Sequence, residues 1–377
     1  MNTSIQIELG ADFEAHFARA GRFADEQLAP EAAERDRHEL FPRDTLKAIA
    51  GEGLFGINVS PDDGGLGAGV EAYARIVRRL AEGCAGTTVA MMVSNMVAEA
   101  VACFGSESQR ARFLKPLLRG EWPAAGFCLS EPDSGSDAAS MRATATRLEA
   151  GGYRLDGTKA WITSGGEAGF YLITAKTDPS ARARGVSAFL VAANTPGLSA
   201  SKPEEKMGLH SSLTTQIHLE RCEVGADALL GEEGQGFSVM MNALDGGRIG
   251  VSAQAIGIAD AALALLRSRY LRDGGNELAT LLAQSQSERD AAWALCLRAA
   301  KSKDAGRPLT REASISKLYC TETAGRICRR TLQGLRGEGA EAQAAARLLR
   351  DVRVTRIYEG TSEVQRLVIA RNLISGR

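Results

Sequence analysis

Apolar residues recur every three or four positions between 11 and 120, in stretches such as PRDTLKAIAGEGLFGI and AYARIVRRLAEG, which predicts a block of amphipathic helices. The period then changes. Between 122 and 230 the chain breaks into short apolar or alternating runs, FCLSEP, GYRLDGTKAWITSG, FYLITAKT, VSAFLVAA and TTQIHLERCEV. Gly, Pro, Asp and Ser separate them, the pattern of strands joined by turns. From 236 to 374 helical spacing returns almost without proline, in long segments such as RIGVSAQAIGIADAALALLRSRYL. The expected class is α+β, mainly α. It has a helical domain over 1–121, a β domain over 122–235 and a second helical domain over 236–377, with no repeat or low-complexity linker between them.

Composition narrows the partners. With 377 residues and 44% hydrophobic content the chain can bury a large cofactor. Its 45 basic and 46 acidic residues leave a formal charge of -1 without long runs of one sign, so neither nucleic acid nor an anionic membrane is the natural partner, and a small organic substrate is expected. The seven cysteines form no C-x-x-C pair and several lie in apolar helical patterns, which suits free buried thiols in a reducing compartment. The stretch MNTSIQIELGADFEAHF lacks a charged segment followed by an apolar one, and no run is expected to reach membrane-spanning length. A cytoplasmic protein is expected.

Familiar catalytic signatures fail. GGLGAG at 64–69 has the wrong spacing for a dinucleotide fingerprint and falls in the helical block; there is no Walker loop, G-x-S-x-G elbow or H-E-x-x-H. The four histidines, 16, 38, 210 and 218, are too dispersed for a metal cluster, and no metal is expected. What remains is a density of small and polar residues in LSEPDSGSD (129–137), KAWITSGG (159–166) and YEGTSEVQ (358–365), each of which taken alone also reads as a turn.

In this order, together with LFGINVSPDDGGLG, EEKMGLHSSLTTQIHLERCEV, LLGEEGQGF, LDGGRIGVSAQAIGIA and RLLRDVRVTRIYEGTSEVQRLVIAR, these stretches resemble the acyl-CoA dehydrogenase family over essentially the whole chain. The resemblance implies an N-terminal helical domain, a middle β-barrel-like domain and a C-terminal four-helix bundle. It also implies bound FAD and a homotetramer or homodimer. The reaction it implies is oxidation of an acyl thioester, short to medium in chain length, to a trans-2-enoyl thioester, with electrons passed to an electron-transfer flavoprotein.

The spacing around Glu359 predicts a helix over 340–357, Gly360 just past its end, and a capping box from Ser362 and Gln365 opening the next helix. A carboxylate at a helix C-terminus, buried beside apolar groups, should have a raised pKa and be a stronger base. By resemblance Glu359 removes the α-proton while the β-carbon gives hydride to the flavin. Its backbone N–H and a ribityl hydroxyl would stabilise the enolate oxygen.

Other roles carry over in the same way. Phe127, Leu129 and Ser130 match positions lining the isoalloxazine. Ser136 matches a polar contact near the pyrophosphate and thioester, Trp161 the aromatic residue against the ring system, and Thr163 the hydroxyl near its reactive edge. Thr361 and Glu363 match contacts to the adenylate half, and Gln333 and Gly337 match further cofactor positions. Tyr358 and Gly360 flank the base on the substrate side. Asp245 and Arg248, three apart at an expected helix start, match a pair at the pantetheine end, although a surface ion pair has the same spacing. Met91, Met92 and Met96 suit either an acyl tunnel or ordinary core.

Two segments depart from the family. After SRYL members carry Arg-x-x-Phe-Gly and a connecting loop that reaches a neighbouring subunit's FAD, whereas this chain reads RDGGNELATLLAQ. In QGLRGEGAEA (333–342), Gln333, Gly337 and Gly339 persist, but Arg336 stands where a glycine is usual and Glu338 where an aromatic residue is usual. Arg336 would then either alter the backbone or replace the lost phosphate-binding cation. These departures keep open an acyl carrier protein as carrier, a flavoenzyme of altered outcome such as an oxidase, desulfinase or reductase, and a flavin-poor partner subunit of a hetero-oligomer.

Overall fold

The computed structural model describes residues 11–337 and 339–375, so that the expectation concerning Glu338 lies outside the described residues. The helical first part comprises α1 (Ala11–Phe23), α2 (Ala32–His38), α3 (Arg43–Gly51), α4 (Gly69–Gly83), α5 (Ala85–Phe104), α6 (Glu107–Gln109) and α7 (Lys115–Leu118). GGLGAG forms the turn that leads into α4, with only its last residue, Gly69, inside the helix.

Strands β1 (Gly126–Cys128), β2 (Thr144–Arg147), β3 (Tyr153–Thr163), β4 (Phe170–Lys176), β5 (Val186–Ala192), β6 (Leu198–Ala200), β7 (Thr214–Val224) and β8 (Leu229–Leu230) form one sheet. Its order is β6-β7-β3-β2-β4-β5-β8, with β1 parallel to β4. The long antiparallel pair β3 and β7 shifts register between Lys159 and Ile162, a bulge that re-aims Trp161.

The last part is built from α8 (Gly236–Asp273), α9 (Asn276–Asp304), α10 (Thr310–Leu335), α11 (Ala340–Val352) and α12 (Ser362–Ser375). Helix α8 is central. Its Ile249, Val251, Ile256 and Ile258 are at most 1% exposed, each contributing about 1.5–3 kcal/mol of burial. Its glycines let neighbours approach closely: a Cβ at Gly257 would stand 2.2 Å from the Arg78 carbonyl oxygen on α4.

Contrary to expectation, α5 and α8 are long and apolar enough to cross a membrane by length and composition. Most of each is buried within the protein, so their apolarity is used in helix packing. All seven cysteines are free, and all but Cys103 are buried.

Candidate active site

The path from α11 to α12 differs from the predicted continuous helix. Helix α11 ends at Val352, a 3₁₀ turn spans Arg353–Arg356, and Glu359 and Gly360 both adopt left-handed backbone, with φ of 55° and 87°. Such a conformation is free for glycine and strained for glutamate, and it persists only where surrounding contacts hold it. Here they do. Lys317 Nζ donates to the Gly360 carbonyl at 2.5 Å, while Gln365 Nε2 donates to the carbonyls of Glu359 (3.1 Å) and Gly360 (2.9 Å).

The expected capping box is replaced. Thr361 Oγ1 accepts from the Val364 N–H at 3.3 Å, and Ser362 donates to Glu322. Glu359 therefore precedes the N-terminus of α12 and is separated from the C-terminus of α11. The nearby helix dipole favours its charged form, the reverse of the sequence expectation.

Burial overrides that effect. Burial pushes the Glu359 carboxyl up to about 7, against the opposing attraction of Arg248 and Lys317. Its Oε2 is buried without a hydrogen-bond partner. The carboxylate rests on α8 where Gly247 leaves space: a Cβ there would stand 2.6 Å from Oε2 and 2.9 Å from the carboxyl carbon.

Around it, burial lowers the Lys317 ammonium to about 8, partly opposed by Glu359. Arg248, 8% exposed, donates to Asp245 at 2.8 Å, and Asp245 also accepts from Thr310 at 3.2 Å. This pair lies in the third and fourth turns of α8, inside the helix, because packing continues the helix through Gly246 and Gly247. Tyr358 is hydrogen-bonded to Gln254, whose Nε2 donates to the Ala85 carbonyl at 2.9 Å. Tyr73, Met91, Met92 and Met96 are all buried in the surrounding helices.

The β domain presents the other group of expected residues. Trp161 is 64% exposed and has φ of 62°, so that an indole ring in a well-formed strand is turned outward. Phe127, Ser130 and Thr163 are half-buried, Leu129 is buried, and Ser136 is exposed. Their support was not anticipated. The fully buried Lys159 donates to Glu131 at 2.8 Å and to the Leu129 carbonyl at 3.2 Å, and Glu131 accepts from the backbone N–H of Arg142 (2.5 Å) and Ala143 (3.0 Å). This network pins the 129–143 loop to β3. An exposed aromatic ring beside a backbone held so firmly fits the face of a planar cofactor such as a flavin.

Thr361 is half-buried and Glu363 exposed at the start of α12. Gln333 and Gly337, both exposed, are not brought to the carboxylate within one chain. Gln333 lies about 24 Å along α10 from Lys317 at the usual helical rise. Arg336 takes left-handed geometry, φ 34°, and its guanidinium is paired with Glu277. The α8–α9 connection is only Gly274 and Gly275. Clefts of about 350 Å³ and 190 Å³ recorded elsewhere include neither Glu359 nor Trp161 among their lining residues.

Gly247, Lys317, Lys159 and Glu131 were missed as site residues from the sequence. A lysine inside the apolar pattern ASISKLYC was the one signal that could have drawn attention to Lys317.

Comparison with known proteins covers the same ground. Domain models of the acyl-CoA dehydrogenase N-terminal, middle and C-terminal domains match residues 11–121, 126–222 and 234–374. The chain is 40% identical over 362 residues to the human (Homo sapiens) mitochondrial short-chain specific acyl-CoA dehydrogenase, covering 93% of this chain and 87% of that protein. It is 38% identical to an acryloyl-CoA reductase (NADH) of Anaerotignum propionicum, covering 94% and 92%. The solved structure of butyryl-CoA dehydrogenase from Megasphaera elsdenii superposes with a TM-score of 0.94 at 34% identity, covering 98% of this chain and 100% of that one.

Proposed function

The chain belongs to the acyl-CoA dehydrogenase family of FAD-dependent oxidoreductases, and from that premise we propose that it converts a short-chain acyl-CoA to its trans-2-enoyl thioester with Glu359 as the base. One observation carries this reading: Glu359 Oε2 is buried, lacks a hydrogen-bond partner, and belongs to a carboxyl pushed up to about 7. A base poised near neutrality suits removal of a weakly acidic α-proton.

Bound FAD supplies the hydride acceptor. The chain's own residues do the rest. Trp161, Phe127, Leu129, Ser130 and Thr163 hold the ring system, Ser136 lies toward the pyrophosphate and thioester, and Thr361 and Glu363 lie toward the adenylate half. Gly247 sets where the carboxylate stands, and Lys317 and Gln365 fix the left-handed turn that aims it. The Glu359 backbone N–H is assigned to the thioester oxygen, where enolate charge develops. Asp245 and Arg248 face the pantetheine arm, while Tyr358 and Gly360 border the acyl group.

An electron-transfer flavoprotein is the proposed acceptor, and a closed homo-oligomer is the proposed assembly, supported by exposed Leu367, Leu373 and Ile374 on α12. Seven free thiols support a cytoplasmic setting. The likeness to the Anaerotignum reductase favours a second reading, in which the same site runs toward the saturated thioester.

The test is a flavin spectrum of the purified protein followed by anaerobic addition of butyryl-CoA. Stoichiometric flavin and bleaching of its visible absorption support the proposal. Full flavin content with no bleaching by any saturated acyl-CoA would remove the dehydrogenation reading, and absence of flavin in the purified protein would favour a flavin-poor partner subunit.

A further inference from the structure

The segment 201–213, between β6 and β7, lies outside any helix or strand and is held from several sides. Gly208 packs on the backbone of α11: a Cβ there would stand 2.6 Å from the Arg350 carbonyl carbon and 2.8 Å from the Asp351 nitrogen. Leu209 is left-handed, with φ of 51°, and its N–H donates to the buried Asp351 carboxylate at 2.6 Å. Arg350 ties the same place to α2, donating to the two Asp36 carboxylate oxygens at 3.0 and 2.5 Å and to the Met207 carbonyl at 3.1 Å. Ser211 fills the room left by Gly86 at the start of α5, where a Cβ would stand 2.2 Å from its Oγ.

His210 stands at the centre of these contacts. Its Nδ1 lies 2.9 Å from the Asp36 carbonyl oxygen and 3.0 Å from Asp36 Oδ1, and its Nε2 lies 2.8 Å from the Lys206 carbonyl oxygen. A carbonyl oxygen can only accept, so both ring nitrogens must carry hydrogen for both contacts to be hydrogen bonds. Either neutral tautomer would turn a lone pair toward an oxygen, on a side chain only 16% exposed. The arrangement therefore fits the imidazolium, whose charge faces Asp36 and, at 3.9 Å from Nε2, Glu39.

The other charges around it are Lys206 on the segment and Arg347, Arg350 and Asp351 on α11. Against burial, which would raise it, Arg350, His210 and Arg347 hold the Asp36 carboxyl below its ordinary value. Burial lowers the Lys206 ammonium and pushes the Asp351 carboxyl up to about 6. Asp351 gains charge as pH rises, which tightens its bond from the Leu209 N–H. Its titration thus works in the direction opposite to that of the imidazolium.

The far end of the segment reaches the cofactor face. The Leu213 carbonyl accepts from the Ser164 N–H at 2.8 Å, and Thr214, the next residue, stands opposite Thr163 in the β3–β7 ladder. Ser164 is itself left-handed, with φ of 61°, a conformation that persists only under such contacts. We propose that doubly protonated His210 is a positioning residue: it locks 206–213 to α2 and α11 and so fixes Thr163 and Ser164 at the flavin edge, and the lock opens when the ring gives up a proton. The inference rests on the reading above in which Thr163 borders the flavin.

The test compares flavin-loaded wild type, His210→Arg and His210→Gln at about pH 6 and about pH 9, on either side of the range in which an imidazole changes charge. Two readouts are followed: FAD release, by the rise in flavin fluorescence, and hydrogen-exchange protection factors of segment 206–213, with α8 as the reference. The wild type should release FAD at least about 10-fold faster at the higher pH, the order expected when a hydrogen bond to a charged group is lost. Protection of 206–213 should fall with it while α8 is unchanged. His210→Arg keeps its charge and donors throughout and should be slow at both pH values. His210→Gln carries no charge, should be fast at both, and covers any failure of the arginine variant to fold. A wild type without the pH step, a folded variant that keeps it, or equal loosening of α8 would overturn the proposal. Protein isolated without FAD would remove the flavin reading, and the exchange pattern alone would then decide whether His210 locks the segment.

Discussion

Glu359 and Gly247 are fitted to each other: a single added carbon on Gly247 would stand 2.6 Å from Glu359 Oε2, closer than any real contact permits. The atom in the way is the far end of a flexible side chain, so the protein can relieve the clash by moving the carboxylate. Gly247→Ala should therefore leave folding and FAD content near wild type and reduce kcat/KM about 100-fold, the usual consequence of misplacing a reacting group by roughly 1 Å. Steady-state kinetics beside a thermal melt checks this; equal losses in stability and activity would contradict it.

Proton abstraction needs the ionised carboxylate. With the carboxyl at about 7 in the free protein, kcat/KM should rise with pH through about 7 and level off above it. A profile flat across that range would argue against Glu359 as the base.

The same shift has a stability counterpart. The folded value, about 7, lies above the unfolded value near 4.5, so the folded state holds the proton more tightly between the two. Stability attributable to this group is fully present below about pH 4.5 and is lost as pH rises to about 7, at a cost on the order of 3 kcal/mol. Glu359→Gln should thus be more stable than wild type at about pH 8 and nearly equal to it at about pH 4.5, a difference measurable by urea denaturation.

Lys317 both holds the Gly360 carbonyl and lowers the Glu359 carboxyl by its charge. Lys317→Met should move the acid limb of the pH profile upward and reduce kcat about 10-fold, the order of loss when a supporting contact to a reacting group is removed. A loss of activity with an unmoved limb would reduce Lys317 to a structural role.

Lys159 and Glu131 are a buried pair, and removing one partner strands the other. Lys159→Met should destabilise the protein by about 3–5 kcal/mol and weaken FAD retention as the 129–143 loop loosens. Lowered stability with unchanged FAD affinity would separate this pair from the cofactor face.

The three-part order of helices, strands and helices was legible because each part keeps its own apolar period, and Glu359 was legible because the motif around it is local. What could not be read is tertiary. Gly247 becomes a site residue only because another segment places a carboxylate on it. Asp245 and Arg248 were expected at a helix start, and packing carried α8 straight through Gly246 and Gly247. The sequence RVTRIYEG supplied the spacing of a helix end but gave no sign that two consecutive left-handed residues would be held by a lysine from α10. Nor did the apolar α5 and α8 announce that their faces are covered by protein.

The most direct test of the central claim is anaerobic addition of butyryl-CoA to flavin-loaded wild type and Glu359→Gln, with flavin absorbance followed in time. The account predicts prompt bleaching of the wild type and none in the variant, with FAD still fully bound. Bleaching of the variant at the wild-type rate would contradict it.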